Sequence, residues 1–153
     1  MSSPGASALR TSTCPVARAT AVVGDRWSLL IVREAYDGAR RFNDFQRRLG
    51  MAKNILSGRL RALVADGVLE TTPAADGGPY HEYRLTEAGL DLFPVLVALR
   101  QWGEAHAFAE GEPRSELVDD RAGRPVVPLR VVAADGRPVD ATTTVVRKPR
   151  TAA

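Results

Sequence analysis

Within the stretch 51–66, MAKNILSGRLRALVAD, four polar side chains stand close together: Lys53, Asn54, Ser57 and Arg61. Each can donate a hydrogen bond to a phosphate oxygen or to a base edge in a DNA groove. Ile55, Leu56, Leu60, Leu63 and Val64 recur at helical spacing in the same stretch. One side of a helix therefore looks inward, and the donors fall on the other. Just upstream stand Arg40, Arg41, Arg47 and Arg48, with Asp44 the only acid in that run. Four arginines so placed cannot all face phosphates. Two of them are expected to, fixing position on a duplex without specifying sequence. Arg59 lies nearer the apolar side and is expected to pack, or to pair with an acid inside the domain. Gly58 costs about 1 kcal/mol relative to alanine in a helix interior. It is either simply tolerated or lets the backbone approach DNA closely. A bare run of charge is more often a solvated helix face than a binding surface.

Cys14 is the other reactive position. Pro15 follows it and suits the first turn of a helix. The positive end of the helix macrodipole favours the thiolate, the form that reacts. The alternative is an inert, buried cysteine packed in a dimer. With no second cysteine in the chain, a response to oxidant is limited to an intersubunit disulfide, a mixed disulfide with a small thiol, or an adduct. Enzyme chemistry finds little support. His81 and His106 lie on different elements, without a second ligand or carboxylate at metal spacing. There is no P-loop, GxGxxG or GxSxG, so no cofactor or metal is expected.

The elements that must position these residues follow from the periodicity. Val16, Ala19, Thr20 and Val23 give a short helix that stops at Gly24. Asp25 caps the next, whose buried stripe is Trp27, Leu30, Ile31 and Ala35. A third helix runs from Arg40 to Gly50 with Phe42, Phe45 and Leu49 inward, and Gly50-Met51-Ala52 is the turn into the donor helix. Ala52 is a weak cap there. Val68, Leu69 and Thr71 then alternate as a strand, opposed by Tyr80, Glu82 and Arg84 across the tip Asp76-Gly77-Gly78-Pro79. A donor helix followed at once by a hairpin is the plan of a winged helix-turn-helix. The hairpin tip has little positive charge, so a minor-groove role for His81 and Arg84 on its return strand is weakly supported.

Thr86 caps a further helix with the apolar set Leu90, Phe93, Leu96, Leu99 and Trp102, continuing to Phe108. Pro94 should kink it or split it at Phe93. So long an apolar stripe is hard to bury within one chain. A dimer interface is expected, since groove-reading proteins commonly pair two half-sites. Val16, Trp27, Phe93, Leu96, Leu99 and Trp102 are the candidates for a dimer contact or an apolar pocket for a small-molecule effector. In the second reading the winged helix serves as a protein-interaction or ligand-binding module without specific DNA binding.

The 153 residues suit one domain with added segments, not two full domains. The composition is that of an ordinary globular protein, 44% hydrophobic and 25% charged. The net charge of +3 is mild, but the basic groups cluster at 40–61 and again at Arg147, Lys148 and Arg150, as suits a polyanionic partner. One cysteine fits a reducing cytoplasm. The N-terminus has no apolar core of signal-peptide length, and no apolar run approaches membrane-spanning length. Residues 1–13 read as a disordered arm, 14–109 as the folded domain, and 110–153 as an extension. In that extension Leu129–Val132 and Thr143–Val146 would pair as a β-hairpin about Asp135-Gly136. The fold class is mainly α with some β.

From Cys14 to about His106 the chain resembles the HxlR-type bacterial transcription regulators. The matching residues are Cys14-Pro15-Val16, Gly24 through Ile31 (GDRWSLLI), Arg33-Glu34, Arg41 through Phe45 (RFNDF), Leu56-Ser57, Arg59-Leu60 and Leu63 through Gly67 (LVADG). They continue with Glu82 through Thr86 (EYRLT), Gly89, Pro94-Val95-Leu96 and Trp102-Gly103-Glu104. The resemblance implies a winged helix-turn-helix homodimer, paired through the N-terminal helix and the helices after the wing, that binds double-stranded operator DNA. Repression by occluding polymerase is the default expectation. Some members sense oxidants, quinones or aldehydes at the place of Cys14. The recognition helix here opens Met51-Ala52-Lys53-Asn54 where members often carry a Ser cap and a Gln-Lys pair. Longer members can carry paired cysteines in the extension; this chain has none there.

Overall fold

The structure is a computed structural model that describes residues 5–150. Helices α1 (Ala6–Arg10), α2 (Pro15–Val23), α3 (Ser28–Tyr36), α4 (Phe42–Leu49) and α5 (Lys53–Ala65) precede a hairpin of β1 (Leu69–Pro73) and β2 (His81–Leu85). α6 (Glu87–Leu90) and α7 (Phe93–His106) follow. The fold is a mainly helical winged helix-turn-helix, as the pattern of donor helix and hairpin requires. By packing, the chain divides into two compact units, Met1–Phe93 and Pro94–Ala153. No helix among the described residues is long and apolar enough to cross a membrane.

In the first unit the core is built by Ile31, Val32 and Ala35 of α3, Phe45 of α4, Leu56, Leu60 and Leu63 of α5, and Val68 and Leu69 at the start of the wing. Asp25 starts α3 as the sequence requires. Its carboxylate accepts from the N–H groups of Trp27 and Ser28 at 2.9 and 3.0 Å. α4 begins at Phe42, two residues later than its composition suggests. There Asp44 reaches back to accept from the N–H groups of Arg41 and Arg40, at 3.0 and 3.2 Å. Gly50 closes α4 in the left-handed conformation, φ 63°. A Cβ would be strained there, so the tight turn between α4 and α5 rests on glycine.

The wing pairs Leu69 with Leu85 and Pro73 with His81 in antiparallel register. Its return strand is tied to the segment before α4 by the Tyr83 N–H donating to the Arg40 carbonyl at 2.7 Å. The Phe45 ring meets Tyr83 edge-on at 6.2 Å. Thr86 caps α6 through its hydroxyl, which accepts from the Gly89 N–H at 3.1 Å. Gly89 is where backbone passes backbone: a Cβ on it would lie 2.3 Å from the Val68 carbonyl. The break between α6 and α7 falls at Asp91-Leu92, and Pro94 sits in the first turn of α7, where its missing N–H has no partner to lose.

Several expectations change. Residues 1–4 of the expected arm lie outside the described residues, but Ala6–Arg10 form a helix. Arg10 holds it in place by donating to both oxygens of Asp66, at 2.7 and 2.9 Å. In α2 only Val23 is buried; Val16 is 69% exposed and Ala19 and Thr20 are also exposed. Ile55 is exposed, because it falls outside the stripe of Leu56, Leu60 and Leu63.

In the second unit the buried apolar residue is Val97, while Leu99 and Trp102 are exposed. Gln101 pairs with the extension as an amide does with a strand: its Nε2 donates to the Val127 carbonyl at 3.1 Å, and its Oε1 accepts from the Leu129 N–H at 2.8 Å. The expected hairpin is much shorter. The turn at Asp135-Gly136 forms, with the Ala133 N–H donating to the Arg137 carbonyl and the Val139 N–H to that of Val131. The return arm is therefore 137–139 and not Thr143–Val146. Only an isolated bridge, Val132 to Pro138, remains. Pro138 lacks an N–H for a ladder, and Asp140 draws the next residues into a turn by accepting from the Thr142 and Thr143 N–H groups at 2.8 and 3.1 Å.

Candidate nucleic-acid interface

The turn after α4 presents α5 with Leu56, Leu60 and Leu63 in the core, so its opposite side faces solvent. Lys53, Asn54, Gly58 and Arg61 are all exposed, and Ser57 is half-buried at the edge of that face. Asn54, Gly58 and Arg61 recur at intervals of four and three, one stripe along the helix. Among the described residues no carboxylate lies within ion-pair distance of Lys53 or Arg61, and no hydrogen bond engages the side chain of Lys53, Asn54 or Arg61. Their donors are unspent. Ile55 is exposed beside them, which the apolar pattern concealed; counting its angle from Leu56 and Leu60 would have found it. An apolar side chain there is suited to a thymine methyl.

The flanking arginines divide sharply. Arg40 donates to the Ala35 and Ala39 carbonyls at 2.7 and 2.9 Å, closing the end of α3. Arg48 donates to the Asp37 carbonyl at 3.0 Å and lies 3.6 Å from Glu34. Both are turned to the domain's own oxygens. Arg41 forms an ion pair with Asp76 at the wing tip and lies 3.8 Å from Glu82. It fastens the hairpin to the start of α4. Arg47, with its side chain 72% exposed and only Asp44 nearby at 3.3 Å, is the one of the four that faces mainly outward. Arg59 pairs with Asp25 at 3.5 Å, an acid inside the domain. On the wing, His81 is exposed and Arg84 lies 3.6 Å from Glu82.

These pairings set the local electrostatics. Hydrogen bonds from the Arg41 and Arg40 N–H groups, with the charges of Arg47 and Arg48, hold the Asp44 carboxyl below its ordinary value against a smaller effect of burial. At Asp25 burial is the largest single influence and pushes upward. The Ser28 hydroxyl, two N–H groups and Arg59 together outweigh it, so the net shift is down. The Arg41 guanidinium, first by hydrogen bond, lowers the carboxyl of Asp76. All three carboxylates stay ionised at neutral pH, which makes them fixed anchors and not switches.

Away from this face, Cys14 is exposed at the N-cap of α2, and its N–H donates to the Ser12 hydroxyl at 3.1 Å. Trp27 and Leu96 are half-buried, whereas Val16, Phe93, Leu99 and Trp102 are 44–69% exposed. Phe93 still touches Tyr36, ring to ring at 5.5 Å, and the Trp102 ring meets that of His106 at 5.1 Å, tilted by 44°. Among the described residues no group of three or more His, Cys, Asp or Glu is placed to hold a metal.

A helix-turn-helix with an outward donor face and a hairpin wing defines a class of regulator, and the comparisons place the chain within it. Residues 22–110 match the model of the HxlR-like helix-turn-helix family. The chain belongs to that family of transcriptional regulators, which is not a class of enzymes. An uncharacterized HTH-type transcriptional regulator of Mycobacterium tuberculosis is 41% identical over 126 residues, 82% of this chain and 80% of that protein. The crystal structure of PA1607, a proposed transcription factor, matches with a TM-score of 0.88 at 51% identity, over 92% of this chain and 98% of that one. The redox regulator HypR in its reduced form matches with a TM-score of 0.56 at 33% identity, over 61% of this chain and 94% of that one.

Proposed function

We propose that the chain is a sequence-specific DNA-binding repressor that acts as a homodimer, with α5 of each subunit in the major groove of an operator half-site. The observation that carries this reading is the face of α5. Lys53, Asn54 and Arg61 are exposed with no internal partner among the described residues, while most nearby arginines are bound to carbonyls or carboxylates of the domain. Base edges are read by Asn54, Ser57 and Arg61, phosphates are held by Lys53 and Arg47, and Gly58 admits a close backbone approach. Arg41 and Arg84 orient the wing, on which His81 is an exposed donor. The apolar residues Val16, Trp27, Phe93, Leu96, Leu99 and Trp102 serve the dimer contact, which can also hold a small effector. Cys14 is exposed at a helix start, and one structural relative of the chain is a redox regulator; Cys14 is the place where thiol modification would act on DNA binding.

The test is binding of the purified protein to the duplex immediately upstream of its own gene, against an unrelated duplex of equal length, titrated with salt with and without oxidant. The expected result is tight, salt-steep binding to the upstream duplex alone. Lys53→Ala with Arg61→Ala should abolish the discrimination and flatten the salt dependence, and Arg48→Ala should leave both nearly unchanged. Equal, weak binding to every duplex would reject the reading.

A further inference from the structure

The last ten described residues carry a second concentration of positive charge. Residues 122–150 hold six Lys and Arg against two acids, a net of +4, whereas 100–121 hold three against six, a net of −3. Within the basic stretch Arg137 pairs with Asp135 at 3.6 Å. Arg147, Lys148 and Arg150 are exposed, and among the described residues none has a carboxylate within ion-pair distance. The chain leading to them closes a local turn. The Asp140 carboxylate accepts from the Thr142 and Thr143 N–H groups and from the Thr142 hydroxyl, and the Thr144 hydroxyl donates back to the Asp140 carbonyl at 2.8 Å. After that turn Val145–Arg150 has no regular secondary structure and no hydrogen bond to the rest of the chain among the described residues. Val145 and Val146 are 81% and 87% exposed. Pro149 disfavours a helical Lys148.

A turn followed by a short basic segment whose charges have no acidic partner among the described residues is the form of arm that lies along a phosphate backbone. We propose that 145–150 is a DNA-binding arm, in which Arg147, Lys148 and Arg150 contact the duplex separately from the bases read by α5. This rests on the DNA-binding reading above. The arm complements a winged unit whose own arginines are largely engaged: Arg40, Arg41, Arg48 and Arg59 all have internal partners. The arm adds affinity without adding sequence preference, because its charges meet a feature every duplex shares.

The experiment compares wild type with the variant Arg147→Gln, Lys148→Gln, Arg150→Gln on the upstream and unrelated duplexes across a salt series, with the oligomeric state followed by sedimentation. Each phosphate contact contributes about 0.9 to the slope of log affinity on log salt. Three charges on each of two subunits should therefore flatten that slope by up to about 5. The upstream duplex should still be preferred by the same ratio. A slope that changes by less than about 1, with discrimination intact, overturns the arm and leaves the α5 reading standing. An unchanged slope with a dissociated dimer also overturns it, and makes the segment a subunit strap. Wild type that binds neither duplex overturns both.

Discussion

A methyl group placed on Gly58 meets no atom within 4 Å, so the free protein offers no steric reason for glycine in the middle of α5. Its helical neighbours on the exposed face are Asn54 and Arg61, the donors proposed to read bases. Gly58→Ala should therefore separate two properties that usually move together. Stability should rise by about 1 kcal/mol, because alanine removes a penalty of that size inside a helix. Affinity for the upstream duplex should fall several-fold, because the added methyl occupies the space between helix backbone and groove. Urea midpoints and a binding titration check the two halves. A variant that is more stable and binds as well as wild type would mean that Gly58 is merely tolerated and that α5 does not approach DNA at that turn.

α5 is tied to a distant residue at its end: its C-cap Asp66 pairs with Arg10 of α1. The C-terminal end of a helix carries partial negative charge, where a bare carboxylate at Asp66 is unfavourable; the bidentate Arg10 offsets it. That hydrogen bond is the largest cause of the lowered Asp66 pKa, opposed by partial burial and aided by the Arg10 charge. A carboxyl depressed on folding stabilises the folded state above its unfolded value, about 3.9, and loses that contribution as pH falls through the folded value. Wild type should thus be more stable than Asp66→Asn by a constant margin near neutral pH. Urea midpoints taken from pH 6 down to pH 2 should show the margin shrinking below about pH 4. A gap that stays flat to pH 2 would mean the pair does not form. This pairing also marks the limit of what the sequence discloses. The α5 face was legible because Leu56, Leu60 and Leu63 carry a period, and the break before α7 because Pro94 cannot continue a helix. Arg10 and Asp66 are 56 residues apart, and Arg41 and Asp76 are 35 apart. No local pattern signals such partners, so arginines that look alike in sequence separate into anchors and open donors only once folded. The hairpin expected at Leu129–Val132 and Thr143–Val146 failed for a local reason instead: Asp140 captures the threonines before they can return as a strand.

At the scale of the molecule, the exposed apolar residues set the argument. Leu90, Phe93, Leu99 and Trp102 are 44–64% exposed, all within α6 and α7, which together span only twenty residues from Glu87 to His106. Scattered apolar residues on a surface need no explanation, whereas a run of large ones marks a contact. A two-fold partner is the economical cover, since a recognition helix on each subunit then meets a half-site. If folding and association are linked in this way, the melting temperature of wild type should rise with protein concentration. Leu99→Glu with Trp102→Glu should sediment as a monomer and melt at a temperature independent of concentration. Both positions are already exposed in the single chain, so the intrinsic stability of the monomer should change by no more than about 0.5 kcal/mol per site. The variant should also lose affinity for the complete operator while keeping the weak affinity of one subunit for one half-site, because the second contact no longer comes at high effective concentration. Wild type that sediments as a monomer and melts at one temperature across a hundredfold range of concentration would reject the dimer. The exposed leucine and tryptophan would then have to be covered by a different partner, and recognition by α5 would have to succeed one half-site at a time.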